Sequence, residues 1–456
     1  MIGVTDMSLL DRLEKQKIYN KEEKSAETTS FNRNLYNDEY SELKEMAHKE
    51  FIETVNQQDI SLFNVKGEQE EELYKIMESI IEFRAPNISR AQRTKILKEI
   101  FNDVMGLGPL ESLLNDDDNT EIMVNGPFSV YVERKGKLEL SDVVFKDNNH
   151  VMNIINRIVS SVGRRIDESS PMVDARLKDG SRFNAVIPPL SLVGPSMTIR
   201  KFSKKPFTSS DLIKFGSLSP KMVSFLEACV KGRMNIIVSG GTGSGKTTLL
   251  NVLSSSIPNN ERIVTIEDAA EIQLNQDHVV TLESRPPNLE GSGQITIRDL
   301  VRNSLRMRPD RIIVGEVRSG ETLDMLQAMN TGHDGSLTTA HANSPRELMS
   351  RLETMVLMSG MELPVRAIRE QIHSAIDIVV QQSRMKDGSR KIVNITEVVG
   401  MEGDTITLQD IFTYRAQGID SNGKLKGNFI ATGIRPNFLE KLTSSGIIVR
   451  DDWFTN

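Results

Sequence analysis

The eight residues Gly240 to Thr247, reading GGTGSGKT, constrain the fold of this chain more than any other stretch. They match G-x-x-x-x-G-K-[ST], the pattern of a phosphate-binding loop. The apolar run 235–239 before them has strand length, and 248–257 after them is a helical pattern without a breaker. Strand, glycine loop and helix in this order predict a nucleotide site, because backbone N–H groups of glycines can converge on phosphate oxygens at a helix N-terminus.

Such a loop gives its polar groups defined tasks. We expect Lys246 to reach the β- and γ-phosphates of ATP and the hydroxyl of Thr247 to ligate Mg²⁺. The residues expected to line the phosphates are Gly241, Thr242, Gly243, Ser244, Gly245, Lys246, Thr247 and Thr248.

Composition narrows the class of protein. A chain of 456 residues with 38% hydrophobic and 26% charged residues predicts two or three globular domains. It has neither an apolar run of about 18 residues nor a signal-peptide core at its N-terminus, so we expect a cytoplasmic location. One cysteine, Cys229, excludes an intramolecular disulfide and a multi-cysteine zinc module. The net charge of -7 predicts no nucleic-acid partner.

The periodicity of apolar residues divides the chain into segments. Apolar residues at helical spacing predict three helices, the third opened by a capping box at Ser89–Gln92 and ended by Gly106. Period-two runs with Asn-Gly and Lys-Gly turns then predict a mixed α+β domain. The predicted segments are a flexible polar N-terminus (1–37), a three-helix bundle (38–106), an α+β domain (107–202), a linker (203–211) and a nucleotide-binding domain (212–456).

Strand-like and helical runs alternate after residue 212. This alternation predicts an α/β domain with a mostly parallel, doubly wound sheet. Strands are expected at 263–266, 278–282, 311–314 and 336–340. In the tail we expect strands near 376–381, 391–399 and 405–410, and a final helix near 438–445.

Acidic residues follow two of the predicted strands. The predicted strand 263–266 is followed by Glu267, Asp268 and Glu271. The predicted strand 311–314 is followed, after Gly315, by Glu316. A carboxylate beside a phosphate loop can hold Mg²⁺ through water, and a second can orient or deprotonate the attacking water. Gly315 stands where many ATPases have a metal-holding aspartate, so we expect Glu316 to hold the metal.

Histidines and arginines supply the remaining candidates. His333 and His341 bracket a threonine-rich strand, and their spacing makes a zinc pair unfavourable. A histidine near a γ-phosphate can report its presence by a hydrogen bond. Arg182, Arg200, Arg285 and Arg318 are candidates for phosphate contacts.

Taken together, these blocks resemble the type II/type IV secretion ATPases, and most closely the tight-adherence (Tad, CpaF-type) pilus assembly ATPases. The resemblance is densest over 283–358, including RPDRIIVGEVRSGETLDMLQAMNTGHDGSLTTAHANSPREL. It extends back through GPLESLLNDDDNTEIMVNGP and DGSRFNAVIPPLSLVGPSMTIRKF, and forward through DGSRKIVNITEVVGMEGDTITLQDIF. Nothing before Asp38 resembles the family.

The resemblance implies a RecA-like ATPase domain in a homohexamer, with ATP between that domain and the α+β domain. The family's Asp box corresponds to 265–271 with Glu267 and Glu271, its Walker B motif to 312–316, and its His box to 331–341. Arg182 and Arg200 correspond to the family's N-domain arginines that approach the phosphates, and Arg318 to its Walker B arginine. The implied partners are polytopic inner-membrane platform proteins, which the ATPase meets at the cytoplasmic face of the membrane.

The expected function is therefore a hexameric motor that hydrolyses ATP to assemble, or also retract, a Tad-like or type IV-like pilus. In this hypothesis Glu271 polarises the attacking water, Glu267 supports it, and His341 with His333 reports the γ-phosphate. One alternative is a type IV secretion ATPase coupled to DNA or effector transfer. Another is a nucleotide-binding scaffold without motor activity.

Overall fold

The structure is a computed structural model of the chain, and it describes residues 40–58, 67–134, 136–177, 179–202, 206–287, 292–419, 423 and 425–455. The chain divides into two compact units, Met1–Ser203 and Lys204–Asn456. The flexible segment predicted for 1–37 lies outside the described residues, as do residues 203–205 of the predicted linker. The predicted domain limits within these units remain predictions.

Three amphipathic helices begin the first unit: α1 (Ser41–Gln57), α2 (Glu68–Arg84) and α3 (Arg90–Met105). Their apolar faces meet in one cluster, because residues three and four apart lie on the same side of a helix. The cluster contains Ala47, Phe51, Val55, Leu73, Met77, Ile96, Leu97 and Ile100. The predicted capping box is confirmed, since Ser89 Oγ accepts from the Gln92 N–H and Gln92 Oε1 accepts from the Ser89 N–H.

An antiparallel six-stranded sheet forms the rest of the first unit. Its strands are β1 (Asn119–Asn125), β2 (Val130–Arg134), β3 (Lys137–Leu140), β4 (Met172–Arg176), β5 (Arg182–Val186) and β6 (Ser196–Arg200), in the order β3-β2-β1-β6-β5-β4. The short helix α4 (Leu110–Leu114) precedes the sheet, and α5 (Asn148–Ser161) joins β3 to β4. Ile122, Phe183 and Ile199 share a core with Ile154 and Ile158 of α5.

The second unit is built on a nine-stranded sheet with the order β15-β14-β13-β12-β7-β11-β10-β8-β9. The strands are β7 (Ile236–Gly240), β8 (Ile263–Glu267), β9 (Val279–Glu283), β10 (Arg311–Val314), β11 (Leu337–Ala340), β12 (Ile378–Arg384), β13 (Arg390–Glu402), β14 (Thr405–Ile419) and β15 (Leu425–Ala431). The six strands from β12 to β9 in this order run parallel, and β13 to β15 add an antiparallel extension.

Helices cover both faces of this sheet. They are α6 (Ser209–Lys214), α7 (Pro220–Lys231), α8 (Lys246–Ser254), α9 (Ile297–Ser304), α10 (Glu321–Asn330), α11 (Pro345–Leu357), α12 (Val365–Ala375), α13 (Leu439–Ser444) and a 3₁₀ helix, Asp451–Phe454. Ile236 and Val238 of β7 join the core that holds Phe225 of α7 and Leu250 of α8. Ile237 joins the core that holds Leu326 of α10 and Leu352 of α11, so alternate residues of one strand serve opposite faces.

The predicted fold class is confirmed: an α/β, RecA-like P-loop domain follows an α+β domain and a small helical bundle. The sequence prediction missed β15 and the full length of β13 and β14, because a long twisted hairpin has weaker period-two patterning than a half-buried strand. In the part of the chain that the structure describes, no helix combines the length and the apolar character needed to cross a bilayer.

Candidate active site

Four neighbouring parallel strands, β7, β11, β10 and β8, end at the same edge of the nine-stranded sheet. The register aligns Ala340 of β11 with Ser239 of β7, and Val314 of β10 with both Thr338 and Ile266. The residues that follow each strand therefore meet at one edge. They are the phosphate loop after β7, His341 after β11, Gly315 and Glu316 after β10, and Asp268 after β8, where Glu267 is the last strand residue.

The phosphate loop has the backbone form that anion binding requires. Gly243 and Gly245 have φ angles of +70° and +95°, which favour glycine. Gly245 is also the N-cap of α8, and no side chain among the described residues caps that helix, so the N–H groups of its first turn can bind an anion. Lys246 folds back over the loop, with its Nζ 3.3 Å from the carbonyl oxygen of Gly241. Gly241, Thr242 and Gly243 are exposed.

Lys246 shares its surroundings with His341 and Glu316. The Lys246 Nζ lies 3.3 Å from both ring nitrogens of His341, and His341 Nε2 lies 2.7 Å from Glu316 Oε1. Burial lowers the pKa of Lys246, while the nearby Glu316 carboxylate opposes that shift. Burial, followed by the charge of Lys246, also lowers the pKa of His341, so this imidazole is neutral near pH 7.

Arg318 links the acids of two strand ends. Its Nε and Nη2 donate to Glu316 Oε2 at 2.9 and 2.6 Å, and its Nη1 lies 3.4 Å from Asp268 Oδ2. The segment that carries Arg318 is held by Glu321, whose Oε1 accepts the N–H groups of Arg318 and Ser319 at 2.6 and 2.8 Å. Arg318 is therefore fixed in place at this edge before any ligand binds.

Glu267 and Glu271 make different use of their carboxylates. Glu267 is 3% exposed, and its Oε1 accepts the backbone N–H groups of Glu271 and Ile272 at 3.0 and 3.2 Å. Gly315 on the adjacent strand leaves room for it, since a β-carbon there would lie 2.8 Å from Glu267 Cγ. Glu267 thus fixes the segment that carries Glu271, while the Glu271 side chain is only partly buried.

The other candidates lie elsewhere in the fold. His333 precedes β11, at the end of that strand opposite to His341, and its backbone carbonyl accepts from Ser336 Oγ. Arg285 donates from Nε to the carbonyl of Gly293 at 2.8 Å. Arg182 and Arg200 are cross-strand neighbours on the exposed face of the first unit's sheet, where Arg200 contacts Glu121 at 3.1 Å. Within the second unit, the structure does not bring His333 to the edge that holds Lys246.

Two oxygens at this edge fit Mg²⁺. Glu316 Oε1 is buried and, although close to His341, is not aligned with any hydrogen-bond donor in the described chain. The hydroxyl of Thr247, in the first turn of α8, is the other. In the described ranges no three His, Cys, Asp or Glu side chains are grouped to hold a metal. This donor set suits Mg²⁺, which keeps several waters and takes few protein ligands.

The strand on the other side of β7 contributes groups that the sequence analysis missed. β12 pairs with β7 in parallel, with Gln382 opposite Gly240. Arg384 of β12 and Arg390 of β13 both approach the phosphate loop at Gly243. These residues lie far from the loop in sequence, and only the order of the strands shows that they are its neighbours.

Comparison with known proteins gives a consistent result. The sequence profile of the family described as "Type II/IV secretion system protein" matches residues 103–427. A putative conjugal transfer protein of Mycobacterium tuberculosis is 36% identical over 313 residues, which are 67% of this chain and 88% of that protein. The type IV secretion system protein VirB11 of Brucella abortus is 34% identical over 320 residues, 64% of this chain and 88% of that protein.

A solved structure is also similar in sequence. The crystal structure of the VirB11 ATPase from the Brucella suis type IV secretion system, in complex with sulphate, has 32% identity. The match covers 63% of this chain and 94% of that chain, with a TM-score of 0.35.

Proposed function

Because the chain belongs to the type II/IV secretion system protein family, we propose that it is an ATPase that converts ATP hydrolysis into mechanical work for a secretion or pilus system. The observation that carries this proposal is the contact cluster of Lys246, His341, Glu316 and Arg318 beside an intact phosphate loop. A site that only bound nucleotide would need the loop but not the acids around it.

In the proposed reaction, the loop N–H groups and Lys246 bind the phosphates of ATP, with Gly241 to Thr248 forming the cradle. Thr247 and Glu316 would hold Mg²⁺, the latter through water. When bound, Mg²⁺ neutralises negative charge on the β- and γ-phosphates. Glu271 orients the attacking water and accepts its proton, while the water oxygen bonds to the γ-phosphorus and ADP leaves. Glu267 acts through Glu271, because its own carboxylate is occupied by backbone N–H groups.

His341 is the proposed reporter of the γ-phosphate. Its pKa is lowered, so near pH 7 the neutral ring has one N–H to donate and one nitrogen that can accept a hydrogen bond. It contacts both Lys246 and Glu316. The positive charge of Lys246 and the negative charge of Glu316 balance each other once the terminal phosphate has left. A change in its hydrogen bonds therefore accompanies hydrolysis. His333 stays a predicted companion of this function.

The mechanical part of the proposal rests on the family. We propose a homohexamer in which Arg182, Arg200 and Arg318 contact the nucleotide phosphates. The ring would be attached to the inner face of the cell membrane and would act on polytopic platform proteins. A Tad-like pilus is the proposed system, on the sequence blocks that resemble the Tad pilus ATPases.

A second candidate is a type IV secretion ATPase coupled to DNA or effector transfer. The observation that favours it is the names of two relatives, a putative conjugal transfer protein and a type IV secretion system protein. Deletion of the gene separates the two candidates: loss of pili with normal transfer supports the first, and loss of transfer with normal pili supports the second.

Lys246→Ala tests the enzymatic proposal. We expect it to remove ATP turnover, by at least about 100-fold in kcat, because the cation that stabilises the transferring phosphoryl group is lost. Phosphate release measures turnover, and far-UV circular dichroism checks folding.

The matched control is Lys231→Ala, which removes an exposed lysine from the last turn of α7 and should leave turnover unchanged. Full activity of Lys246→Ala would refute the assignment. A folded wild-type protein that releases no phosphate would favour the scaffold alternative.

A further inference from the structure

The strand β12 and its hairpin with β13 form a second flank of the phosphate loop, opposite the flank that carries Glu316. The sheet order is β12-β7-β11-β10, so β12 and the acid-bearing strands lie on opposite sides of β7. A β-carbon at Gly240 would collide with the backbone carbonyl of Gln382, and one at Gly245 would lie 3.3 Å from Gln382 Nε2. The β12 backbone therefore runs directly along the loop.

Two arginines extend from this flank to the centre of the loop. Arg384 Nη1 lies 3.6 Å from the position of a β-carbon on Gly243, and Arg390 Nε donates to the Gly243 carbonyl at 3.4 Å. They are cross-strand partners in the β12–β13 ladder. In the part of the chain that the structure describes, neither guanidinium is paired with a carboxylate, whereas Arg318 and Arg200 both are.

The hairpin that presents these arginines is held firmly. Asp387 in its turn accepts from the Ser389 N–H and hydroxyl at 2.9 and 2.6 Å, and from the Leu425 N–H of β15 at 2.8 Å. These hydrogen bonds lower the pKa of Asp387 to about 2. The carboxylate nearest to the arginines in sequence thus accepts three hydrogen bonds within the turn and from β15, and it forms no ion pair with either arginine among the described residues.

A buried polar atom on the same flank also lacks a partner. Gln382 is 3% exposed, and its Oε1 makes no hydrogen bond with any described residue. As an acceptor, this oxygen calls for a donor such as water, whereas the Nε2 group of the same amide, 3.3 Å from the β-carbon position of Gly245, is the donor that suits a phosphate oxygen. The Gln382 amide lies beside Gly245, which is part of the phosphate loop.

The position of the terminal phosphate then fixes the direction of the nucleotide. Lys246, His341 and Glu316 gather on the β11–β10 side, where the γ-phosphate belongs. In this arrangement we expect the remaining phosphates to lie along the loop, away from that cluster. On the opposite flank Arg384 is exposed and has no carboxylate partner among the described residues, and a guanidinium binds phosphate oxygens through two parallel hydrogen bonds.

We propose that Arg384 contacts the diphosphate part of the bound nucleotide, with Arg390 positioning the loop through Gly243. This inference rests on the proposed nucleotide site and adds a residue that holds ADP as strongly as ATP. Arg384 thereby governs retention of the product, in contrast to Glu316 and His341, which face the terminal phosphate.

The test is calorimetric titration of the full chain with Mg-ADP and Mg-AMP-PNP, comparing wild type, Arg384→Gln and Arg384→Lys. We expect Arg384→Gln to weaken both ligands by the same factor, roughly 10-fold, because a charge-assisted contact present in both is lost. Arg384→Lys keeps the positive charge but loses the paired N–H donors of the guanidinium. Its affinity for both nucleotides should fall between those of wild type and Arg384→Gln. Magnesium pyrophosphate, used to displace bound ADP, should lose affinity by the same factor.

Lys386→Gln is the matched control, since it removes one positive charge from the same hairpin at an exposed position and should change affinity less than twofold. Melting temperatures equal to wild type verify folding. ADP affinity of Arg384→Gln equal to that of the control would overturn the inference while leaving the proposed function intact. A loss confined to AMP-PNP, or unchanged pyrophosphate affinity, would overturn it too. A wild-type protein that binds neither nucleotide would overturn both.

Discussion

Glu267 is the last residue of β8, and Gly315 directly follows the adjacent strand β10. Their closeness explains why position 315 carries no aspartate. A side chain at position 315 would occupy the space of Glu267, whose carboxylate is needed to accept the N–H groups of Glu271 and Ile272. Glu316, one residue later, is the carboxylate that we propose as the holder of Mg²⁺. The absence of a side chain at Gly315 thus leaves room for Glu267, and in the proposed function Glu267 and Glu316 have separate tasks.

This division of tasks predicts different results for two conservative substitutions. Glu271→Gln should lower kcat by about 100-fold or more while ATP affinity and melting temperature stay at wild-type values, because only the group beside the attacking water changes. Glu267→Gln should lower kcat and also reduce stability by about 1–2 kcal/mol, since an amide accepts fewer backbone N–H groups than a carboxylate. Steady-state kinetics and thermal melting measure both. Equal stability of the two variants would contradict the assignment.

Asp103 in the first unit gives a prediction about pH. Burial raises its pKa from 3.8 to about 6. The charged groups around it are Lys44, Glu99, Lys146, Arg157 and His150, whose Nε2 is 3.7 Å away. Because the folded state binds this proton more tightly than the unfolded state, stability from this group is full below about pH 4 and is lost as pH rises through 6.

Asp103→Asn should therefore raise the melting temperature at about pH 7.5 and leave it nearly unchanged at about pH 4.5. Since 43% of the Asp103 side chain is exposed, the gain at the higher pH is modest, about 1 kcal/mol. Scanning calorimetry of the intact chain measures it, with Asp118→Asn at an exposed position as the control. The same shift at both pH values would contradict the prediction.

Among the secondary-structure elements, the 3₁₀ helix Asp451–Phe454 closes one face of the second unit's core. Trp453 is 2% exposed, its ring centroid lies 5.7 Å from that of Phe225 on α7, and its Nε1 donates to Ser224 Oγ at 3.1 Å. Phe412 of β14 and Phe454 also contact the Phe225 ring. Trp453 and Phe454 are thus part of the core that supports β7.

Trp453→Ala should reduce the free energy of unfolding by about 3–5 kcal/mol, because a large buried ring is replaced by a cavity. Denaturant unfolding followed by far-UV circular dichroism is the measurement, since Trp453 is the sole tryptophan and fluorescence is lost with it. Ile448→Ala is the control: that side chain is 83% exposed, and its loss should cost less than about 0.5 kcal/mol. A loss below about 1 kcal/mol for Trp453→Ala would show that the element is dispensable.

Elements and their order differ in how well the sequence predicts them. The motif at 240–247 and the alternation of strands and helices after it suffice to predict the phosphate loop and the parallel strands. The acids at the strand ends can be predicted to lie near the loop, because the carboxyl ends of parallel strands share an edge. The flank formed by β12 could not be predicted, since it depends on which distant strand pairs with β7. The occupation of Glu267 by backbone N–H groups is likewise a tertiary contact that no local pattern encodes.

At the scale of the whole molecule, the two units contain different kinds of sheet. The first has an antiparallel sheet whose exposed face carries Arg182 and Arg200, and the second has the parallel sheet whose edge carries Lys246 and Glu316. Each has its own hydrophobic core, so each is a separate packing unit. The proposed motor function involves both units, because it assigns phosphate contacts to Arg182 and Arg200 as well as to Lys246.

The sheet order of the second unit has a consequence for the newly synthesised chain. The loop at 240–247 is translated early, but the strands beside β7 are β11 and β12, which are translated last among the parallel strands. A ribosome-bound fragment that ends before residue 378 thus contains the whole glycine motif but lacks β12, one of the two strands that flank β7. Capture of nascent chains by immobilised nucleotide should begin only after β12 has emerged, which makes ligand binding a marker of completed translation of this sheet.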